Sequence, residues 1–262
     1  MNRLTIFGPM CLAALFTSPA IGQEFRIETQ VYSGQQTKPV SENLTLFTER
    51  IVYDFLFSHE DSAVVSEIVI FDVQQNRFVL LDESRELKLE IHNIELATLI
   101  SSLKSSEAWR EKFAFLIEPK FETNFDSANG LLELTSKHMT YSVRTETPEK
   151  ANAFPIYGQF VDAYAQLNAT DPQKLPPFAR LELNRELRSR RLMPTEVQMS
   201  LDMPTIGLGT RNVSATSKHS VIWQLSKNDR ERIETANKHW TQFRSSTLAE
   251  YRNLPTETVV RK

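Results

Sequence analysis

The chain has 262 residues, 40% hydrophobic, 24% charged and 10% aromatic, a composition typical of globular proteins and unlike disordered or fibrous ones. Thirty Lys and Arg against 33 Asp and Glu give a net charge of −3, so there is no global basic field and no nucleic-acid partner is expected. Its 7 glycines, where a usual share of about 7% would give roughly 18, leave little material for nucleotide-cradling loops.

The N-terminus has three parts: Arg3, an apolar run from Leu4 to Phe16, and a small or polar stretch from Thr17 to Gly22. That order is the pattern of a secretory signal peptide. Cleavage is expected after Gly22, through Ala20 and Gly22, or after Ala20, through Ser18. A run this short cannot cross about 30 Å of hydrocarbon as a helix, so no transmembrane anchor is expected after cleavage. Cys11 is the only cysteine, and Gly8-Pro9-Met10 precede it in place of the Leu-small-small that a bacterial lipid anchor needs. Beyond residue 22 there is no cysteine, which excludes disulfides, thiolate metal sites and cysteine nucleophiles there. An exported protein without cysteine fits a bacterial periplasm or an extracellular setting.

Strand signals dominate the first half. Phe25, Ile27, Thr29 and Val31 alternate with polar residues, the period of a half-buried strand. Further strands are expected at about 40–47, 50–57, 64–72, 77–82 and 85–91, linked by connections too short for parallel crossovers. The spacing predicts a helix over about 94–104, capped by Asn93, and another over about 106–117 presenting Trp109, Phe113 and Leu116. Strands return at about 120–126, 131–136 and 138–146, with Asn129-Gly130 as a turn signal.

From Ala151 the period becomes helical, with Tyr157, Phe160, Val161, Tyr164 and Leu167 on one stripe. Asp171-Pro172 breaks that helix and Pro176-Pro177 opens the next, where Ala179, Leu183 and Leu187 recur and Pro194 marks the end. A hairpin of strands at 196–203 and about 211–225 follows, around a loop with Gly207 and Gly209. Ser226 with Asp229 reads as a capping box for a last helix bearing Ile233, Ala236, Trp240, Phe243 and Tyr251. The expected fold is α+β: a curved antiparallel sheet, open and half-barrel-like, with helices packed across it. Residues 23–254 read as a single domain and 255–262 as a flexible tail.

The order SENLTLFTERIVYDFLF, then IVIFDVQQNRFVLLD, an alternating strand and a small helix, over residues 40–103, resembles the LolA/LolB-like lipoprotein-carrier superfamily. Those are periplasmic open half-barrels with helices as a lid. The chain departs from them by opening with a strand and by its helical insertion at about 151–193, and no functional residue carries over. The resemblance implies a fold and makes apolar-ligand binding thinkable.

Chemistry is sparse. The five histidines show no His-x-x-x-His spacing, and His59-Glu60-Asp61 reads as a solvated turn. His219, on the apolar parity of its strand, reads as a hydrogen-bonded core histidine. Asp54 lies inside the apolar run Ile51–Phe57, where burial raises a carboxyl pKa; an edge position or pairing with Arg50 is the simpler expectation. No Gly-x-Ser-x-Gly elbow occurs, and no catalytic residue, metal ligand or cofactor is assigned. The arginines at 180, 185, 188, 190 and 191 read as a solvated helix face whose last turn complements the helix dipole.

Strands 51–57, 64–71 and 78–81 are apolar on nearly both parities, so both sheet faces need cover. The expected function is non-catalytic, an exported envelope protein that holds an apolar ligand or lipid between sheet and helices, with Tyr53, Phe55, Phe57 and Phe71 near the wall. The alternatives are a structural or protein-interaction module of the envelope, and a hydrolase with an unrecognised Ser or carboxylate site.

Overall fold

Alternating runs at the two ends and near-continuous apolar runs in the middle form six consecutive antiparallel strands: β1 (Phe25–Ser33), β2 (Ser41–Phe47), β3 (Ile51–Phe57), β4 (Val65–Asp72), β5 (Arg77–Asp82) and β6 (Leu87–His92). The computed structural model describes residues 24–254, apart from 173, 205–208 and the side chains of 108, 109, 112 and 204. The expected signal peptide, the tail, the loop around Gly207 and the side chain of Trp109 therefore lie outside the described residues. Helices α1 (Asn93–Ser105) and α2 (Glu107–Ile117) lead to a second meander, β7 (Glu122–Asp126), β8 (Leu131–Thr135) and β9 (Met139–Glu146). After α3 (Phe154–Leu167) and α4 (Phe178–Arg190) come β10 (Met193–Pro204), β11 (Thr210–Ile222), α5 (Lys227–Gln242), the two-residue β12 (Arg244–Ser245) and α6 (Leu248–Tyr251).

The fold is α+β, with an open twelve-stranded sheet in the order β12-β6-β5-β4-β3-β2-β1-β11-β10-β9-β8-β7. Every pairing is antiparallel except β12 with β6. β11 joins the two meanders, pairing with β1 on one side and β10 on the other.

Three clusters close the sheet. On the face we call inner, α1 and α3 pack on β1–β6 around Phe25, Phe47, Phe71 and Phe78. Farther along that face, α2 and α4 pack on β8–β10 around Leu132, Leu134, Tyr141 and Leu183. On the outer face, Ala236, Ile233 and Trp240 of α5 cover Leu44, Tyr53, Phe55, Ile70 and Leu81. The doubly apolar strands are thus covered by helices on both sides. α5 begins with the expected box, in which Ser226 Oγ accepts from the Asp229 amide (3.1 Å) and Asp229 accepts from the Ser226 amide (2.7 Å). The same carboxylate, 1% exposed, takes Arg26 of β1 at 3.1 and 3.2 Å and so fixes the helix to the sheet.

Several boundaries differ from the sequence expectation. α1 starts at Asn93 itself, and the Glu95 carboxylate accepts from the His92 amide instead (3.1 Å). α4 ends earlier than Pro194 suggests: Arg191 takes the left-handed conformation (φ 54°) that stops helices. Pro194 then falls inside β10 at a register shift beside the sheet pairing with β9, where a proline is tolerated. The helix that Ser226 caps, α5, stops at Gln242 before Phe243, and Tyr251 belongs to a separate helix, α6.

Gly130 shows why Asn129-Gly130 marks a turn. Its φ is +61°, and a Cβ there would meet the Thr145 carbonyl oxygen at 2.7 Å. Gly130→Ala is expected to destabilise the protein by about 1–3 kcal/mol through backbone strain and the clash. Denaturant unfolding should show a lowered midpoint with an unchanged slope.

Candidate functional site

The inner face is not filled. Between the two inner clusters, where β11, β1, β2 and β3 pass under α3 and α4, lies a cavity of about 550 Å³. Its lining is mostly apolar: Ile27, Phe47 and Leu56 from the first meander, Met139 and Tyr141 from β9, Met199 from β10, and Phe160, Val161 and Ala179 from the helices above. The segment 174–177 completes the wall with Leu175 and the two prolines that open α4.

A polar row crosses this apolar floor because strand registers align it. His219 of β11 faces Thr29 of β1, which faces Asn43 of β2, and Thr45 faces Asp54 of β3. His219 is hydrogen-bonded on both ring nitrogens, to Thr29 Oγ1 and Ser217 Oγ, each at 3.0 Å. Burial, and then the charge of Arg180, hold its pKa down at about 3, so the ring is neutral at pH 7. At the other end Asp54, 1% exposed, accepts from Asn43 Nδ2 and Thr45 Oγ1, both at 2.6 Å, with the Tyr164 hydroxyl of α3 also turned to it. Burial raises the Asp54 pKa, and these donors only partly offset it. Neither simpler expectation for Asp54 holds: β3 is a central strand, and the partners are hydroxyls and an amide in place of Arg50.

Arg180 faces the cavity from α4. Its Nε donates to Asn184 Oδ1 (3.0 Å). Asn184, 3% exposed, is itself held by donation to the Val161 carbonyl (3.1 Å) and Asp162 Oδ1 (3.0 Å). The arginine run is therefore not one solvated face. Arg185 pairs with Glu182 (2.5 Å), Arg188 with Asp162 (2.5 Å) and Arg190 with Glu186 (2.6 Å), while Arg180 turns inward.

None of Tyr53, Phe55, Phe57 and Phe71 is among the residues lining this cavity. Tyr53, Phe55 and Phe57 have the opposite parity on β3 from Asp54 and pack under α5 on the outer face. Phe71 is on the inner face but fully packed, in tilted ring contacts with Phe78 and Phe160. Bulky apolar side chains fill the core, whereas the cavity wall falls where smaller and polar residues alternate with them. The missed signal was the parity of Thr29 and Val31 on β1 and of Asn43 and Thr45 on β2. His59, Glu60 and Asp61 are exposed, and no group of three metal-ligand side chains occurs among the described residues.

No family model matches the chain, and no curated protein matches it. Among solved structures it is similar to the crystal structure of a LolA superfamily protein from Nitrosomonas europaea. That match covers 80% of this chain and 90% of the other at 7% identity, with a TM-score of 0.25. The likeness brings no residue across.

Two predictions follow from the polar row. Asp54→Ala leaves Asn43, Thr45 and Tyr164 without their acceptor and should destabilise by about 2–4 kcal/mol. Asp54→Asn keeps an acceptor oxygen and should lose far less, as thermal unfolding at pH 7 would show. For His219 the folded pKa is about 3 against about 6.5 in an unfolded chain. Its contribution to stability is therefore complete above pH 6.5 and is lost as pH falls toward 3. The difference in Tm between wild type and His219→Gln should accordingly shrink by a few degrees between pH 7 and pH 4.

Proposed function

We propose that the protein is an exported, non-catalytic binder of an amphiphile, with the apolar part held in the cavity between the inner sheet face and α3–α4. The observation that carries this reading is the cavity itself. Its volume of about 550 Å³ falls within the range of about 300–1,000 Å³ typical of ligand sites, and a mostly apolar wall with a few convergent polar groups is their usual make-up. At about 30 Å³ per water-sized group, it has space for a single chain. The N-terminal pattern supports export, and we propose that residues 23–254 act as one domain. Among the described residues no helix is long and apolar enough to cross a membrane.

The competing hydrolase reading has one observation behind it, the Ser217–His219 hydrogen bond inside the cavity. An activated serine needs a histidine that takes up its proton, usually with a carboxylate on the other ring nitrogen. Here that nitrogen meets Thr29, and the charge of Arg180 disfavours the imidazolium. The pair therefore supports binding better than catalysis. An interaction module without a small ligand would leave the cavity without a role.

Native mass spectrometry of gently purified protein from its own host tests the proposal. The expected species lacks residues 1–20 or 1–22 and carries an apolar molecule. Val161→Phe, which fills the cavity from α3, should abolish that adduct and lower affinity for added amphiphiles about tenfold or more, with Tm little changed. Ligand-free wild type that binds no added amphiphile would overturn the carrier reading in favour of the interaction module.

A further inference from the structure

Arg180 is a cation in a largely apolar cavity, and among the described residues no carboxylate lies within ion-pair distance of it. Its one hydrogen bond, from Nε to Asn184, orients the guanidinium and leaves both terminal nitrogens without a partner among the described residues, on a side chain that lines the cavity. Two other donors share its surroundings. Tyr141 and Tyr157 also line the cavity, near enough to feel the Arg180 charge, and neither hydroxyl has a hydrogen-bond partner among the described residues. Burial pushes both phenols up to about 12, so they remain donors. None of these polar atoms is fully buried, so all three side chains keep donors accessible to a ligand in the cavity. The other cation, Lys174, is already engaged: it donates to Asn168 (2.9 Å) and lies near Asp171, Glu67 and Asp54.

The geometry points to an anionic head group: we propose that the ligand is a single-chain carboxylate amphiphile, its carboxylate held by the Arg180 fork and the Tyr141 and Tyr157 hydroxyls, its chain running along the apolar wall. A planar guanidinium with two free nitrogens matches a carboxylate in a bidentate pair, and its single charge matches a monoanion. The cavity volume suits one chain and is small for a two-chain lipid. Asn184, fixed by Val161 and Asp162 of α3, is a positioning residue that sets the direction of the fork.

This inference rests on the carrier reading, and the experiment separates the two. The mature chain is loaded with the neutral fluorophore N-phenylnaphthylamine and titrated with tetradecanoic acid, tetradecanol and tetradecyl phosphate. Wild type is expected to bind the acid roughly tenfold or more tightly than the alcohol, the factor usual for a charge-assisted hydrogen bond. In Arg180→Met the acid-to-alcohol affinity ratio should fall to near one, with Arg180→Lys in between. A ratio near one in wild type, or a ratio that persists in Arg180→Met, overturns the head-group assignment while the carrier reading stands. Preference for the phosphate over the acid keeps an anion site but overturns the carboxylate. Failure of all three compounds and of the fluorophore to bind overturns the carrier reading itself.

Discussion

A carboxyl group placed in the middle of a sheet must be given hydrogen bonds or be removed from the interior, and much of the inner face is arranged around that requirement at Asp54. Its partners come from β2 and α3, so satisfying one side chain fixes both the β2–β3 register and the seat of a helix. The apolar contacts that would otherwise run unbroken across the sheet are interrupted along the same row, from Asp54 to His219. The inner core is therefore two clusters with a gap between them. Apart from the Asp54–Tyr164 contact, the bonds of these polar side chains lie within the floor, and the space above them is the cavity.

The two faces of the sheet solve the covering problem differently. The outer face of β2–β5 is closed by one amphipathic helix, α5, tied down at its start by Asp229 and Arg26. That layer is a cluster of buried apolar side chains, the arrangement expected of a purely structural contact. The inner face is covered by an insertion between β9 and β10, whose two helices are linked through Asn184 and Arg188 to Asp162. The α3–α4 pair behaves as a unit laid over the sheet, and the segment 174–177 between its helices reaches into the cavity wall.

The sequence made the strands and helices legible because alternation and helical stripes are local signals. Near-continuous apolar runs at β3 and β4 also announced that both faces would be covered. What stayed hidden was which parity met which cover. Tyr53, Phe55 and Phe57 drew attention through bulk, yet bulk belongs to filled space, and these rings sit beneath α5. The residues that face the cavity, among them Thr29, Asn43 and Thr45, look like ordinary polar positions of half-solvated strands. Arg180 was concealed for a similar reason: four other arginines follow it, and only the packing of Asn184 against α3 singles it out. Site assembly depends on register between strands far apart in the chain, which no local pattern encodes.

The position of β11 has a consequence for how the protein comes into being. Each meander can form from neighbours as the chain emerges, but residues 25–33 must wait for residues 210–222 before they gain their second partner. Such distant pairing makes the last closure slow relative to the hairpins. Because β11 carries Ser217 and His219, the cavity floor is completed only by that closure. A nearly finished chain thus presents two half-sheets, each with an unpaired strand edge at β1 or β11. Unpaired edges of that kind invite wrong pairings, so mutations that weaken the β1–β11 junction should appear first as poor yield of folded protein.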